Sequence, residues 1–521
     1  MSATAPLHAR GMERRAGALA GRLPGWWPLA ALTLLAAVLR LSTLDLQSFW
    51  YDEAFTPVHV LHASLLSTLR AVSHTENSPP LWYVVAWADS RVLGTGEVAL
   101  RLPSALAGIA SVPVAWAIGR ELAGRRAALA CAALTAVSPL FVWYSQEARV
   151  YGLFVLSAAV AMLCFLRAER DPTRARMAAF ALSGGVALLT HYFAVFLLVP
   201  MVLWLLWDPR LRRAALPATG ALTLVGLALL PLISAQGGHG TQWIGRWPLS
   251  ERLQAIPQYF LTGASGAPLG HGVELLLALP LLAAAGFGLW RLLELPKAAR
   301  ALAPDAPASA VGAPARPLGR AVLCATAIAA GAILIPVVLA VLGADYLAPR
   351  NLVAAMVPVT ALIAVLGTSP AAGRLGGALL LVGVVGFLAI TIDVNLSPRL
   401  QRGNWRAVAR RLSHGAPDRA ITTVELGAAP LEYYMHGLHN LAQGSSVSIS
   451  EIDETGYSPL RESAGETPAH GFRPLARLNV DGLIVYRFAA SAPQVVLEAQ
   501  LRRHVITLAH PEVLVPRGVE K

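Results

Sequence analysis

Long runs of apolar residues without charge, broken by short clusters of arginine, constrain this chain more than any other feature. Of its 521 residues 55% are hydrophobic and only 14% charged, where a soluble domain is about 25% charged. A run of about 20 apolar residues is long enough to cross a bilayer as a helix. The helix then satisfies its own backbone groups where no water can. Read this way, the chain predicts about eleven spans: 24–44, 101–119, 127–143, 150–167, 177–190, 192–207, 214–234, 271–293, 320–342, 352–368 and 375–393.

The arginines give the direction of threading. With the N-terminus in the cytoplasm, every short inner loop is basic: Arg120, Arg125 and Arg126; Arg167, Arg170, Arg174 and Arg176; Arg210, Arg212 and Arg213; Arg291, Lys297, Arg300, Arg316 and Arg320; Arg374. This is the positive-inside pattern of a multi-pass protein of the plasma (inner) membrane. It also accounts for the formal net charge of +12 without nucleic acid, since no basic aromatic groove or nucleic-acid motif accompanies the charge. The N-terminal 1–23 is basic and precedes an apolar stretch with no clear cleavage site, so it reads as cytoplasmic, before an uncleaved first span. Cys131, Cys164 and Cys324 all lie inside apolar segments and imply neither a disulfide framework nor a metal site.

Three connecting segments stand out. The first outer loop, 45–100, contains 81–92, which is too short and too charged (Asp89, Arg91) to span and reads as a helix lying in the interface. The outer loop 235–270 is polar and Gly-rich, of a kind that often contacts substrate. The inner loop 294–318 is Ala/Pro-rich and reads as a flexible linker. A transmembrane domain over 24–395 is followed by 396–521, where charge becomes dense. There 405–413, 429–435 and 494–504 are helix-like, 419–425, 481–488 and 505–509 are strand-like, and 440–475 has no clear pattern. The expected fold is therefore an all-α polytopic membrane domain with a small C-terminal α/β domain. An odd number of spans places that domain on the outer side.

On the outer side, polar groups from five places reach the membrane boundary. They are Asp52 and Glu53 after the first span; His74 to Pro80, with Glu76; Tyr144 to Tyr151, with Gln146, Glu147 and Arg149; His191 and Tyr192; and Tyr346 to Asn351, with Arg350. Ionisable groups at that depth are costly and are usually kept for function. A carboxylate can take a proton from a hydroxyl nucleophile, and an arginine can hold a phosphate and neutralise the charge that leaves with it. Each also has a plainer reading: Asp52 and Glu76 as helix caps, Arg149 as the partner of a nearby acid, His191 as a break between two spans, Tyr151 and Tyr192 as interface aromatics, and Arg350 as a lipid-headgroup anchor.

The acid pair, the Glu76…Pro79-Pro80-Leu81-Trp82-Tyr83 stretch and above all Ser145-Gln146-Glu147-Ala148-Arg149-Val150-Tyr151 resemble the GT-C glycosyltransferases. The likeness is to the bacterial family-39-like branch, related to protein O-mannosyltransferases and to the aminoarabinose transferase of lipid A, and it covers roughly 25–395. It implies an inverting enzyme that moves a sugar from a polyprenyl-phosphate donor to a hydroxyl of an extracytoplasmic lipid, glycan or protein. It further implies Asp52 as general base and Glu76 as the second acidic position; Glu53, beside Asp52, is the remaining catalytic candidate, with pointing to water or holding Asp52 in place as its plainer reading. Arg149, Gln146, Tyr151, His191, Tyr192 and Arg350 are then the candidate substrate-binding residues. At Arg350 the chain departs from the pattern, because Asn351 follows where a Tyr is common. No cofactor is required; a divalent metal is compatible, with Asp52, Glu53, Glu76 and His191 as the ligands on offer, though none has diagnostic spacing. The alternative from another class is a transporter or lipid flippase. Such a protein would carry its ionisable groups near the bilayer midplane, and here they gather at one face.

Overall fold

The computed structural model describes residues 25–237, 241–263, 271–299, 317–425, 427–504, 506 and 511–518. The N-terminal 1–23, most of the linker 294–318, the glycines at 238 and 240, and nearly all of the strand expected at 505–509 lie outside them.

Every apolar block expected to span is helical. Seven helices among the described residues are long and apolar enough to cross a membrane: Glu97–Ala123, Tyr151–Arg170, Pro209–Gln236, Leu276–Glu294, Leu318–Val341, Pro349–Gly367 and Gly373–Leu396. A bent pair, Arg125–Val137 and Pro139–Ser145, makes an eighth if counted as one span. Trp27–Leu41, Arg174–Thr190 and Ala194–Trp207 are shorter. Large apolar side chains such as Leu203, Leu224, Leu227, Val338, Val382 and Val385 face outward, as a lipid-facing surface requires. At some helix crossings small residues let the backbones approach closely. A methyl at Gly152 would lie 2.7 Å from the carbonyl of Ser104, so only glycine lets those two backbones touch.

The expected span 127–143 is corrected to a helix broken by 55° at Ser138-Pro139. Proline supplies no N–H, so the carbonyls that the next turn would have bonded need other donors. Arg40, fully buried in the first helix, donates from Nη2 to Thr135 O (3.1 Å) and from Nη1 to Ala136 O (2.9 Å). Thr391 Oγ1 donates to Val137 O at 2.8 Å. Ser138 caps the second half through Phe141 N–H. One arginine and one threonine thus satisfy three orphaned carbonyls, and the break aims Ser145 to Arg149 at the first loop.

The first loop contains three α-helices, Tyr51–Phe55, Leu65–Thr75 and Leu81–Leu93; the last covers the segment expected from sequence to be helical. The loop 235–270 includes helices Gln242–Arg246 and Leu249–Thr262. The linker begins later than expected, because helix His271–Ala299 runs through its first residues.

The C-terminal domain is a six-stranded mixed sheet of order β2-β6-β1-β3-β5-β4. Its strands are β1 (Arg419–Val424), β2 (Leu438–Asn440), β3 (Ser446–Tyr457), β4 (Arg473–Val480), β5 (Leu483–Leu497) and β6 (Pro511–Pro516). Only β1 and β3 pair in parallel. Helices Trp405–Leu412 and Ala428–Tyr434 cover one face through Trp405, Leu412 and Leu431; Glu498–Arg503 covers the other. Two expectations are corrected. Asp481-Gly482 is not the start of a strand but a two-residue turn with both φ positive (51° and 93°), the geometry of Asp-Gly hairpins. Residues 494–497, expected helical, complete β5.

Replacing Arg40 by Ala would leave two buried carbonyls without a donor, at about 1–3 kcal/mol each. The expected outcome is a clear fall in the melting temperature of the purified protein; an unchanged melting temperature would contradict this role.

Candidate functional site

The site is organised by the short helix Tyr51–Phe55, which begins directly after the first membrane helix and its connecting turn. Adjacent helical residues project about 100° apart, so Asp52 and Glu53 point in different directions and meet different partners. Glu53 is fully buried and takes Arg101 bidentately, Nε to Oε1 at 2.7 Å and Nη2 to Oε2 at 2.6 Å. Ala148 N–H donates to Oε1 at 2.8 Å. Burial alone would push this carboxyl up; the Arg101 guanidinium outweighs it and holds the group below its ordinary range. Arg101 also donates to the carbonyls of Leu44, Gln47 and Ser48, which fixes the turn leading into the helix.

Asp52 faces Arg350 instead, Oδ2 to Nη1 at 2.8 Å. The Asp52 and Arg350 side chains are 15% and 27% exposed, so this pair is open to solvent where Glu53 and Arg101 are not. Arg350 lies under the ring of Trp243, 4.9 Å from its centroid, and the segment before it is held by Arg252, which pairs with Asp345 at 2.7 Å and donates to Leu347 O. Arg149 is bidentate to Glu76 (3.2 and 3.1 Å) and also donates to the carbonyl of Asp52 at 3.3 Å. The structure thus brings Asp52, Glu53, Glu76, Arg149 and Arg350 into one connected network.

The other sequence candidates sit at its margin. Tyr151 packs on Tyr144 (4.7 Å between centroids) and faces His191 at 6.1 Å. His191 stacks on Phe154 and accepts a hydrogen bond at Nδ1 from Phe193 N–H. Gln146 turns away: its amide donates to Leu39 O, Arg40 O and Thr43 Oγ1 at the end of the first helix. Tyr192 donates to Gln236 Oε1 at 2.7 Å, and Gln236 in turn ties down Val72 and Ser78 of the first loop. Among the described residues no three His, Cys, Asp or Glu side chains form a group that could hold a metal ion.

Two residues not singled out from sequence, Arg101 and Arg402, belong to the network, as does Glu147, which the sequence brought to the same boundary without a role. Arg402, between the last membrane helix and the sheet domain, pairs with Glu147 at 2.8 Å. Arg101 carried a usable signal, since an arginine at the expected outer end of a span runs against the charge rule and needs a buried partner. Arg402 had none, because its partner lies 255 residues earlier. Burial pushes the Glu147 carboxyl up to about 7, with Arg402 opposing that shift. Further bonds seat the sheet domain against the first loop: Ser48 with Gly403 and Trp405, Arg406 and Tyr434 with Glu97, and Tyr434 with Phe49 N–H.

Removing one partner of a fully buried ion pair costs about 3–5 kcal/mol. Arg101→Ala is therefore expected to destabilise the protein strongly, while Asp52→Asn, at a half-open pair, leaves the melting temperature nearly unchanged. Equal effects of the two would contradict the division of labour between the adjacent acids. Glu147 has a second consequence. Its folded value is raised above the unfolded one, so its contribution to stability is fully present below the ordinary carboxylate range and is lost as pH rises towards and through about 7. Glu147→Gln is expected to flatten the fall in melting temperature between pH 5 and pH 8; an unaltered slope would show that Glu147 does not titrate in that window.

Residues 77–236 match the family model of dolichyl-phosphate-mannose-protein mannosyltransferases. No curated protein matches the chain at a significant level. Among solved structures the chain is similar to ArnT from Cupriavidus metallidurans bound to undecaprenyl phosphate, with a TM-score of 0.51, 14% identity and coverage of 89% of this chain and 98% of that one. The oligosaccharyltransferase of Archaeoglobus fulgidus in complex with Zn and sulfate gives a TM-score of 0.45, 16% identity and coverage of 78% and 57%. The family match spans less than a third of this multi-pass membrane protein, and the likeness to ArnT is one of fold.

Proposed function

We propose that the protein transfers a sugar from a polyprenyl-phosphate carrier to a hydroxyl of an extracytoplasmic acceptor (lipid, glycan or protein), with inversion at the anomeric carbon. The observation that carries this reading is the Asp52–Arg350 contact of 2.8 Å. It sets a carboxylate and a guanidinium side by side at a partly open position, next to carboxylates that are closed. The neighbouring fold of a protein bound to undecaprenyl phosphate supports a lipid-phosphate donor.

In this mechanism the donor phosphate takes the place of Asp52 on Arg350. The exchange neutralises the phosphate and frees the carboxylate. Asp52 then removes the proton from the acceptor hydroxyl, whose oxygen bonds to the anomeric carbon as the bond from that carbon to the phosphate oxygen breaks. Polyprenyl phosphate leaves with the electron pair, held by Arg350. Arg149 keeps the backbone of Asp52 in place while itself anchored to Glu76, so both act as positioning residues. Glu53 does the same through Arg101. Alignment, a base and one cation suffice because the leaving group is already a stabilised anion. The reading places the protein in the plasma membrane with a cytoplasmic N-terminus, and the site and the sheet domain outside, among membrane lipids.

The test is an incubation of purified protein with polyprenyl-phosphate sugars and an extracytoplasmic envelope fraction as acceptor. Sugar-dependent release of polyprenyl phosphate is expected, and Asp52→Asn should slow it roughly 10²–10⁴-fold without loss of folded protein. Wild-type turnover by a well-folded Asp52→Asn variant would refute the base.

A further inference from the structure

Glu147 and Arg402 form an incomplete pair. Arg402 Nη2 meets Glu147 Oε2, but Glu147 Oε1 and Arg402 Nη1 are both buried without a hydrogen-bond partner among the described residues. The side chains are 1% and 6% exposed. The contrast with Glu53 and Arg101, joined at both teeth and bonded to Ala148 next to Glu147, is direct. Trp50 Nε1 is a third buried polar atom, and a second donor, without a partner among the described residues. It belongs to an indole that, with Trp143, flanks the Arg402 guanidinium at 5.5 and 4.3 Å. Buried charged groups left unpaired are expensive and call for an explanation.

The unmet atoms have a definite chemistry. An unmet acceptor and an unmet donor on the two members of one ion pair, with an unmet N–H on an indole that flanks it, complement two neighbouring hydroxyls, one donating and one accepting. The position also fits: Glu147 lies within electrostatic reach of Asp52 and Arg350, and Tyr51 within reach of Asp52, Arg350, Glu147 and Arg402 together.

We propose that Glu147, Arg402 and Trp50 form a subsite that grips a vicinal hydroxyl pair of the donor sugar, beside the phosphate held by Arg350. The proposal rests on the glycosyltransferase reading above. It makes the segment beyond the last membrane helix a contributor to sugar selection.

The experiment measures binding of bare undecaprenyl phosphate and of a panel of undecaprenyl-phosphate sugars (mannose, glucose, galactose, arabinose, aminoarabinose) to the full-length protein. Wild type is compared with Glu147→Gln and Arg402→Lys, the second of which keeps the positive charge but not the planar fork. Wild type is expected to prefer at least one sugar-bearing lipid, and each variant to lose about tenfold of that preference. Affinity for bare undecaprenyl phosphate should stay within about twofold, which also reports an intact fold. Unchanged selectivity in both variants, or equal weakening toward bare and sugar-bearing lipids, would overturn the subsite. If wild type itself prefers no sugar-bearing lipid, the donor reading fails and the subsite falls with it.

Discussion

The bidentate contact between Glu53 and Arg101 holds the rest of the site in register. Two opposite charges are removed from water at the end of a membrane bundle, where an unpaired ion would be prohibitively costly. All the hydrogen-bonding capacity of that guanidinium is directed at one carboxylate and three carbonyls of one turn. The backbone from Leu44 to Glu53 therefore has one conformation, and Asp52 has one direction in which to point. Because Ala148 N–H also bonds Glu53, the same contact ties the first loop to the segment that carries Glu147 and Arg149.

Around that anchor the charges form a graded series. Glu53 is closed, Glu147 is closed but half satisfied, Glu76 is joined to Arg149 at the rim, and Asp52 shares Arg350 with solvent. Four acids of similar intrinsic acidity are thereby given different work by burial and by the number of donors that reach each one. The sheet domain takes part in this arrangement. Arg402 and Arg406 enter from it and its linker to meet Glu147 and Glu97, so the soluble and membrane parts share one electrostatic centre.

What was legible in the sequence follows from range. The helices of the bundle could be read because each apolar run carries its own signal, and the residues at Asp52, Glu76, Arg149 and Arg350 stood out as charges at the ends of such runs. The break at Pro139 was partly hidden, since a span can contain proline; only the placement of Arg40 and Thr391 against the freed carbonyls shows why this one bends. Gln146 and Tyr192 looked like ligand contacts because they are polar in apolar surroundings, yet their bonds go to helix ends and to Gln236. The roles of Arg101 and Arg402 depend on partners 48 and 255 residues away, and no local pattern encodes such a distance. In the sheet domain, strands of mixed polarity around Asp481-Gly482 blurred where a turn ended and a strand began.

The buried arginine of the first helix bears on how the chain is made. Arg40 emerges from the ribosome well before Thr135 and Ala136, which lie 95 and 96 residues later. Until those carbonyls arrive, the only one of its partners already made is the Ala36 carbonyl of its own helix, and leaving the guanidinium in hydrocarbon would be costly. Burial of the opening helix in the bundle therefore depends on the bent helix lying beside it, with a single cation joining the two.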